Sequence, residues 1–181
     1  MFWLAKISIL CTSLVLLACS SGTGLKSLDI SSSNTAHNFS ARDSRGYLRK
    51  LSELRGKYVL LNFWASWCQP CIQEMGSLER VATRFSKTRL VVLAVAIDDP
   101  LARVRRFKAL HKLKLPIWID TRGEAKEKFA VRSVPSTWLL NSQGEVAPLL
   151  DPDTGKLAKV VVGARHWDKR DVLHFLRKQI R

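Results

Sequence analysis

The sequence predicts an α/β sandwich with a mixed central sheet flanked by helices, and three observations carry that reading. Tyr58 to Phe63 and Leu90 to Ile97 (LVVLAVAI) are continuous apolar runs of strand length, and the segment between them has helical spacing. Such a pair is expected to be buried on both faces and to run parallel. Phe39 to Leu51 has a turn-like Asp43-Ser44-Arg45-Gly46 between half-apolar segments, which predicts an N-terminal hairpin. Thr137 to Leu140 predicts a further strand and Asn141-Ser142-Gln143-Gly144 a turn, in a sheet expected to have a parallel centre and an antiparallel edge.

The remaining elements follow in order. From about Pro70, Ile72, Met75, Leu78, Ala82 and Phe85 recur at the spacing of one helical face. Leu101, Val104, Phe107 and Leu110 mark a second helix, Ile117 to Ile119 a short strand, and Glu124 to Ala130 a short helix. Residues 147 to 158, with Pro148, Pro152 and Gly155, read as a loop, and Lys159 to Val162 as a last strand. Asp168 is expected to cap a final helix, with Asp171 three residues on and Val172, Leu173, Leu176 and Ile180 along one face.

The chain has 181 residues, 46% hydrophobic and 25% charged, which suits one packed domain and excludes a largely disordered or multi-span chain. Before that domain, Lys6 precedes an apolar run from Ile7 to Ala18 of export-signal length. Leu16-Leu17-Ala18-Cys19 resembles the bacterial lipobox, where cleavage leaves a cysteine that carries lipid. An uncleaved anchor helix and an ordinary cleaved signal are the alternatives. The expected organisation is a lipoprotein signal peptide over 1–18, a lipidated flexible tether over 19–36, and a folded domain over 37–181. The Ser-, Gly- and Asn-rich tether of about 18 residues would span roughly 20 to 25 Å as a coil. These features predict a cell-envelope protein on the periplasmic side, held to an inner or outer membrane by its lipid. The net charge is +15. It suits anionic headgroups, an acidic protein partner or a simply solvated surface, whereas no nucleic acid partner is expected of an exported chain.

Of four cysteines, Cys11 would leave with the signal and Cys19 would be blocked, which leaves Cys68 and Cys71. A bridge across so few residues closes a tiny loop and constrains the unfolded chain little, so reactivity explains the pair better than stapling. They sit where a strand hands over to a helix. Free N–H groups of a first helical turn favour a thiolate, lowering a cysteine pKa from about 8.5 into a range of roughly 3.5 to 7.5. Cys68 is the expected nucleophile, and Cys71, one turn on, is placed to resolve its mixed disulfide. Pro70 suits the first turn, where its missing N–H costs nothing. A half zinc site is the competing reading, but a second cysteine pair is absent and His111, His166 and His174 are isolated in sequence. No metal and no cofactor are expected, and a non-catalytic metal-binding or chaperone module is the alternative of a different class.

The string Leu61-Asn-Phe-Trp-Ala-Ser-Trp-Cys-Gln-Pro-Cys-Ile-Gln-Glu74 resembles the thioredoxin superfamily, and within it the TlpA/ResA-like membrane-tethered thiol-disulfide oxidoreductases. Leu54-Arg-Gly-Lys57, Asp98-Asp99, Val134-Pro135-Ser136-Thr137 and Asn141-Ser-Gln-Gly144 extend the likeness over most of 37–180. The resemblance implies a thioredoxin-like fold and a substrate groove formed by Trp67, Gln69, Pro70, Val134 and Pro135, with Pro135 cis and the Val134 backbone facing a bound peptide. Where cytoplasmic thioredoxins carry a buried aspartate this chain has Asn62, and Glu74 matches the glutamate of the TlpA/ResA pattern, the candidate base for Cys71. Met75-Gly76 stands where that pattern commonly has a proline at 76, a change expected to leave Cys68 in place. The implied activity is reduction of disulfides in exported proteins, apocytochrome c among them, fed by a membrane electron donor such as a thiol-reductant transporter. The Thr-x-x-Cys pattern of peroxidatic relatives is absent.

Overall fold

A computed structural model describes residues 38–180. The expected signal peptide 1–18, Cys19, the tether 19–36 and Arg181 lie outside the described residues.

The chain forms β1 (Ser40–Asp43), β2 (Leu48–Lys50), a 3-10 turn (Leu51–Leu54), β3 (Tyr58–Trp64) and α1 (Gln69–Arg84). There follow β4 (Leu90–Ile97), α2 (Leu101–Leu110), β5 (Ile117–Asp120), α3 (Glu124–Lys128) and β6 (Ser136–Leu140). Four two-residue strands, β7 (Val146–Ala147), β8 (Leu149–Leu150), β9 (Leu157–Ala158) and β10 (Val161–Val162), precede α4 (Arg170–Gln179). The main sheet runs β10-β6-β3-β4-β5-β1-β2, with β7 paired to β6. β3 and β4 are parallel, in register from Tyr58 opposite Leu90 to Trp64 opposite Ala96, and β5 continues parallel to β4. The predicted parallel centre is therefore present. Antiparallel pairing occurs on both flanks rather than one, through β6 against β3 and β1 against β5.

Strand alternation sorts the core into two layers. Leu60 and Trp64 of β3, with Val92, Ala94 and Ala96 of β4, face Met75, Leu78, Val104, Phe107 and Leu176 from α1, α2 and α4. Val59, Leu61 and Phe63, with Leu93, Val95 and Ile97, face Phe39, Ala125, Phe129 and Trp138. Each fully buried large side chain of this kind contributes about 1.5–3 kcal/mol. Asn62 is the polar member of the first set: its position on β3 turns it toward α1 although it is fully buried.

Three boundaries differ from expectation. Residues 147–158 are not a plain loop: β8 and β9 form a hairpin, because Leu149 is fully buried and Asp151 closes the turn through the Gly155 N–H. The last strand is only Val161–Val162, since β6 offers pairing partners only to those two residues. Lys169, not Asp168, occupies the α4 cap position and makes no side-chain cap bond; the Asp168 carboxylate instead accepts from Arg80 Nε at 2.6 Å.

Candidate active site

The site is assembled where β3 ends. Trp64 is fully buried and fixes the end of the strand; Ala65, Ser66 and Trp67 then turn the chain into α1, with Cys68 at the cap position. Asp99, after β4, holds this turn: its carboxylate accepts from the Ser66 N–H at 2.5 Å and the Ser66 hydroxyl at 2.8 Å, with Arg103 at 3.7 Å. The sequence likeness included Asp99 without revealing that task.

Cys68 and Cys71 form a disulfide with Cα atoms 5.3 Å apart. Their exposures differ in the way the chemistry needs: Cys68 retains 6% and Cys71 none. The Cys71 N–H points at Cys68 Sγ from 3.3 Å, the helix-start donor expected from the sequence. Cys68 Sγ also lies 3.7 Å from the Val134 carbonyl oxygen, and the Val134–Pro135 peptide is cis. Trp67, next to Cys68 in the chain, is 57% exposed, with its Nε1–H 3.4 Å from the Asp98 carbonyl. Gln69 and Pro70 are exposed on the same turn, Val134 is half-buried and Pro135 buried. All the expected groove residues are thus brought to the disulfide's end of the fold. α1 runs unbroken through Gly76, so that position leaves the cysteine turn intact.

Glu74 follows Cys71 by one helical turn, on the same face, and is 2% exposed. Oε1 accepts from Asn62 Nδ2 at 2.7 Å; Oε2 accepts from the Arg165 N–H at 2.9 Å and Trp167 Nε1–H at 3.1 Å. Burial pushes its carboxyl above the ordinary glutamate range, and these three bonds, with the Arg165 charge, offset part of that push. Ser77 Oγ locks the arrangement, lying 2.8 Å from the Glu74 carbonyl oxygen and 3.2 Å from that of Arg165 while accepting from the Trp167 N–H at 3.1 Å. The Arg165 guanidinium turns away to Asp151, at 2.8 and 3.2 Å, and holds that carboxylate at about 2. Sequence reasoning missed Ser77, Arg165 and Trp167. Ser77 lies one turn beyond Glu74 on α1, whereas Arg165 and Trp167 lie 91 and 93 residues away in a segment with no periodicity, so only the fold shows the meeting.

Three comparisons bear on the family and the fold. Residues 33–148 match the model of the AhpC/TSA family. The thiol-disulfide oxidoreductase ResA of Geobacillus kaustophilus is 34% identical over 126 residues, 70% of this chain and 71% of that protein. A thiol:disulfide interchange protein of the thioredoxin family from Chlorobium tepidum superposes with a TM-score of 0.64 at 21% identity, covering 81% of this chain and 96% of that one. An exposed lipoprotein thioredoxin of Streptococcus pneumoniae gives 0.61 at 26% identity, covering 78% and 99%. With its paired cysteines at the head of α1, the chain belongs to the thioredoxin-like AhpC/TSA family and is a thiol-disulfide oxidoreductase.

Proposed function

We propose that the protein works outside the cytoplasm as a reductant of disulfides in exported proteins, with Cys68 as nucleophile, Cys71 as resolving thiol and Glu74 as its base. The Cys68 thiolate attacks a substrate sulfur, the substrate S–S bond breaks, and the leaving thiolate takes up a proton. Glu74 then accepts the Cys71 proton, and the Cys71 thiolate attacks Cys68 Sγ. The second substrate thiol departs, two electrons have passed to the substrate, and the Cys68–Cys71 disulfide remains.

The observation that carries the direction is the Val134 carbonyl oxygen 3.7 Å from Cys68 Sγ. A carbonyl facing the sulfur disfavours negative charge there and so opposes the helix-start N–H groups. Strong oxidants of this chemistry depend on a stabilised reduced form, so withholding that stabilisation favours a reducing pair. The expected reduction potential is near or below about −270 mV, measured by equilibration against dithiothreitol or glutathione buffers. A value near about −120 mV would reverse the direction.

A reductant must itself be re-reduced, and a membrane electron donor fits a protein held at a membrane. Support for that location comes from the apolar run Ile7 to Ala18 ending in Ala18-Cys19, and from the lipoprotein among the structural neighbours. One lipid chain binds marginally and stable anchoring takes more, which lipoprotein modification provides. Cys19→Ala is expected to move the protein from the detergent phase to the aqueous phase on partitioning; retention in detergent would leave an uncleaved anchor helix as the tether. Apocytochrome c cysteines are one substrate class this reading admits.

A further inference from the structure

Asn62 is fully buried, yet only one end of its amide has partners. Nδ2 donates to Glu74 Oε1 at 2.7 Å and lies 3.0 Å from Thr137 Oγ1, whereas Oδ1 has no hydrogen-bond partner among the described residues. A buried orphan acceptor costs about 1–3 kcal/mol and calls for an explanation. The other half of the Glu74 carboxylate is fixed differently. The Arg165 N–H and Trp167 Nε1–H that meet Oε2 can only donate, so a proton on Oε2 would face two donors and no acceptor. A proton taken up by Glu74 therefore belongs on Oε1, where the facing group must change from donor to acceptor.

We propose that Asn62 is a positioning residue whose amide reverses with each protonation of Glu74, presenting Nδ2 to the carboxylate and Oδ1 to the acid. Half a turn about the terminal side-chain torsion exchanges the two ends in place, and that torsion is soft. The Thr137 hydroxyl follows by rotating from acceptor to donor, because it can do either. Among the described residues no other titrating group joins the exchange. Asn62 meets Glu74 from β3 and Thr137 meets Asn62 from β6, both neutral side chains, and from the 163–168 segment the charged neighbour is Arg165, already paired with Asp151. On α1 itself Cys71 is the group that hands over its proton. The carboxylate needs donors and the acid needs an acceptor, so an aspartate at 62 would titrate in its own right, and an apolar residue there would serve neither state.

The catalytic meaning rests on Glu74 acting as base, but the test does not. In the oxidised full-length chain Cys71 has no thiol, so Glu74 titrates without its proposed proton donor. With ¹³C-labelled glutamate and ¹⁵N-labelled asparagine, the Glu74 carboxyl carbon and the Asn62 side-chain NH₂ signals are followed by NMR through a pH titration. Both are expected to move with one midpoint. Trp167→Phe removes one fixed donor from Oε2 and is expected to raise proton affinity about tenfold, carrying both midpoints up together. Asn62 signals that stay still while Glu74 titrates would overturn the reversal, as would a Glu74 that keeps one protonation state throughout. The first result leaves the base reading untouched, since that reading is decided separately by the pH profile of Cys71 alkylation in the reduced protein, whereas the second counts against both.

Discussion

Cys68→Ser reduces disulfide turnover to the background rate of the free reductant, while Cys71→Ser accumulates a covalent adduct with substrate. The asymmetry follows from access. Cys68 keeps a solvent-facing edge beside exposed Trp67 and the Val134 backbone, and Cys71 is sealed beneath it. Substrate sulfur can reach Cys68 alone, so a serine there removes the nucleophile and leaves Cys71 unable to take its place. With serine at 71 the first exchange proceeds and the second has no attacking thiol, which leaves the mixed disulfide stranded. Thiol release from a protein disulfide, followed spectrophotometrically, reads the first effect, and intact mass under non-reducing conditions reads the second. Turnover retained in Cys68→Ser, together with no adduct in Cys71→Ser, would point instead to a binding module that engages its partner stoichiometrically.

Much of this site was legible in the sequence because its chemistry is local. Cys68, Pro70, Cys71 and Glu74 fall within two helical turns, and continuous apolar runs on either side identify a strand, a helix and a second strand. The same runs gave the parallel centre. Legibility ended where the information is carried between distant segments. Asp99 reaches Ser66 across 33 residues. Trp167 and Arg165 reach Glu74 from a stretch with neither helical nor strand periodicity, and a tryptophan there reads only as packing. The 147–158 hairpin was hidden for a related reason: two-residue strands are too short to show alternation, and Pro148 and Pro152 read as breakers. Asp168 failed as a cap because Arg80, 88 residues away, competes for its carboxylate.

Glu74→Gln slows resolution of the mixed disulfide yet stabilises the oxidised protein at neutral pH, and the two effects share one cause. Loss of a positioned base is worth about 10²- to 10⁴-fold in rate, and the Cys71 step should then require higher pH. A rapid-quench measurement of mixed-disulfide decay reads this loss; an unmoved profile would remove Glu74 from the proton transfer. For stability, the side-chain oxygen of glutamine can accept from the Arg165 and Trp167 N–H groups, while its NH₂ donates to Asn62 Oδ1 with the amide reversed. The variant is the shape of the protonated acid with no proton to lose. In the wild type, burial holds the Glu74 carboxyl above its ordinary value of 4.5 in the folded state. Between the ordinary and the folded value the native state keeps a proton that the unfolded chain has released, so the stability Glu74 contributes falls as pH rises through that window. Glutamine carries no such penalty, and its advantage should grow from the ordinary carboxylate range upward and then level off. The difference between the two proteins also subtracts the opposite trends of Asp43, Asp151 and Asp168, whose carboxyls are held low by Arg45, Arg165 and Arg80 and by backbone N–H groups. Urea unfolding of both oxidised chains across that range measures it directly. A glutamine variant that loses ground as pH rises would mean that the three hydrogen bonds outweigh the cost of burying the carboxylate.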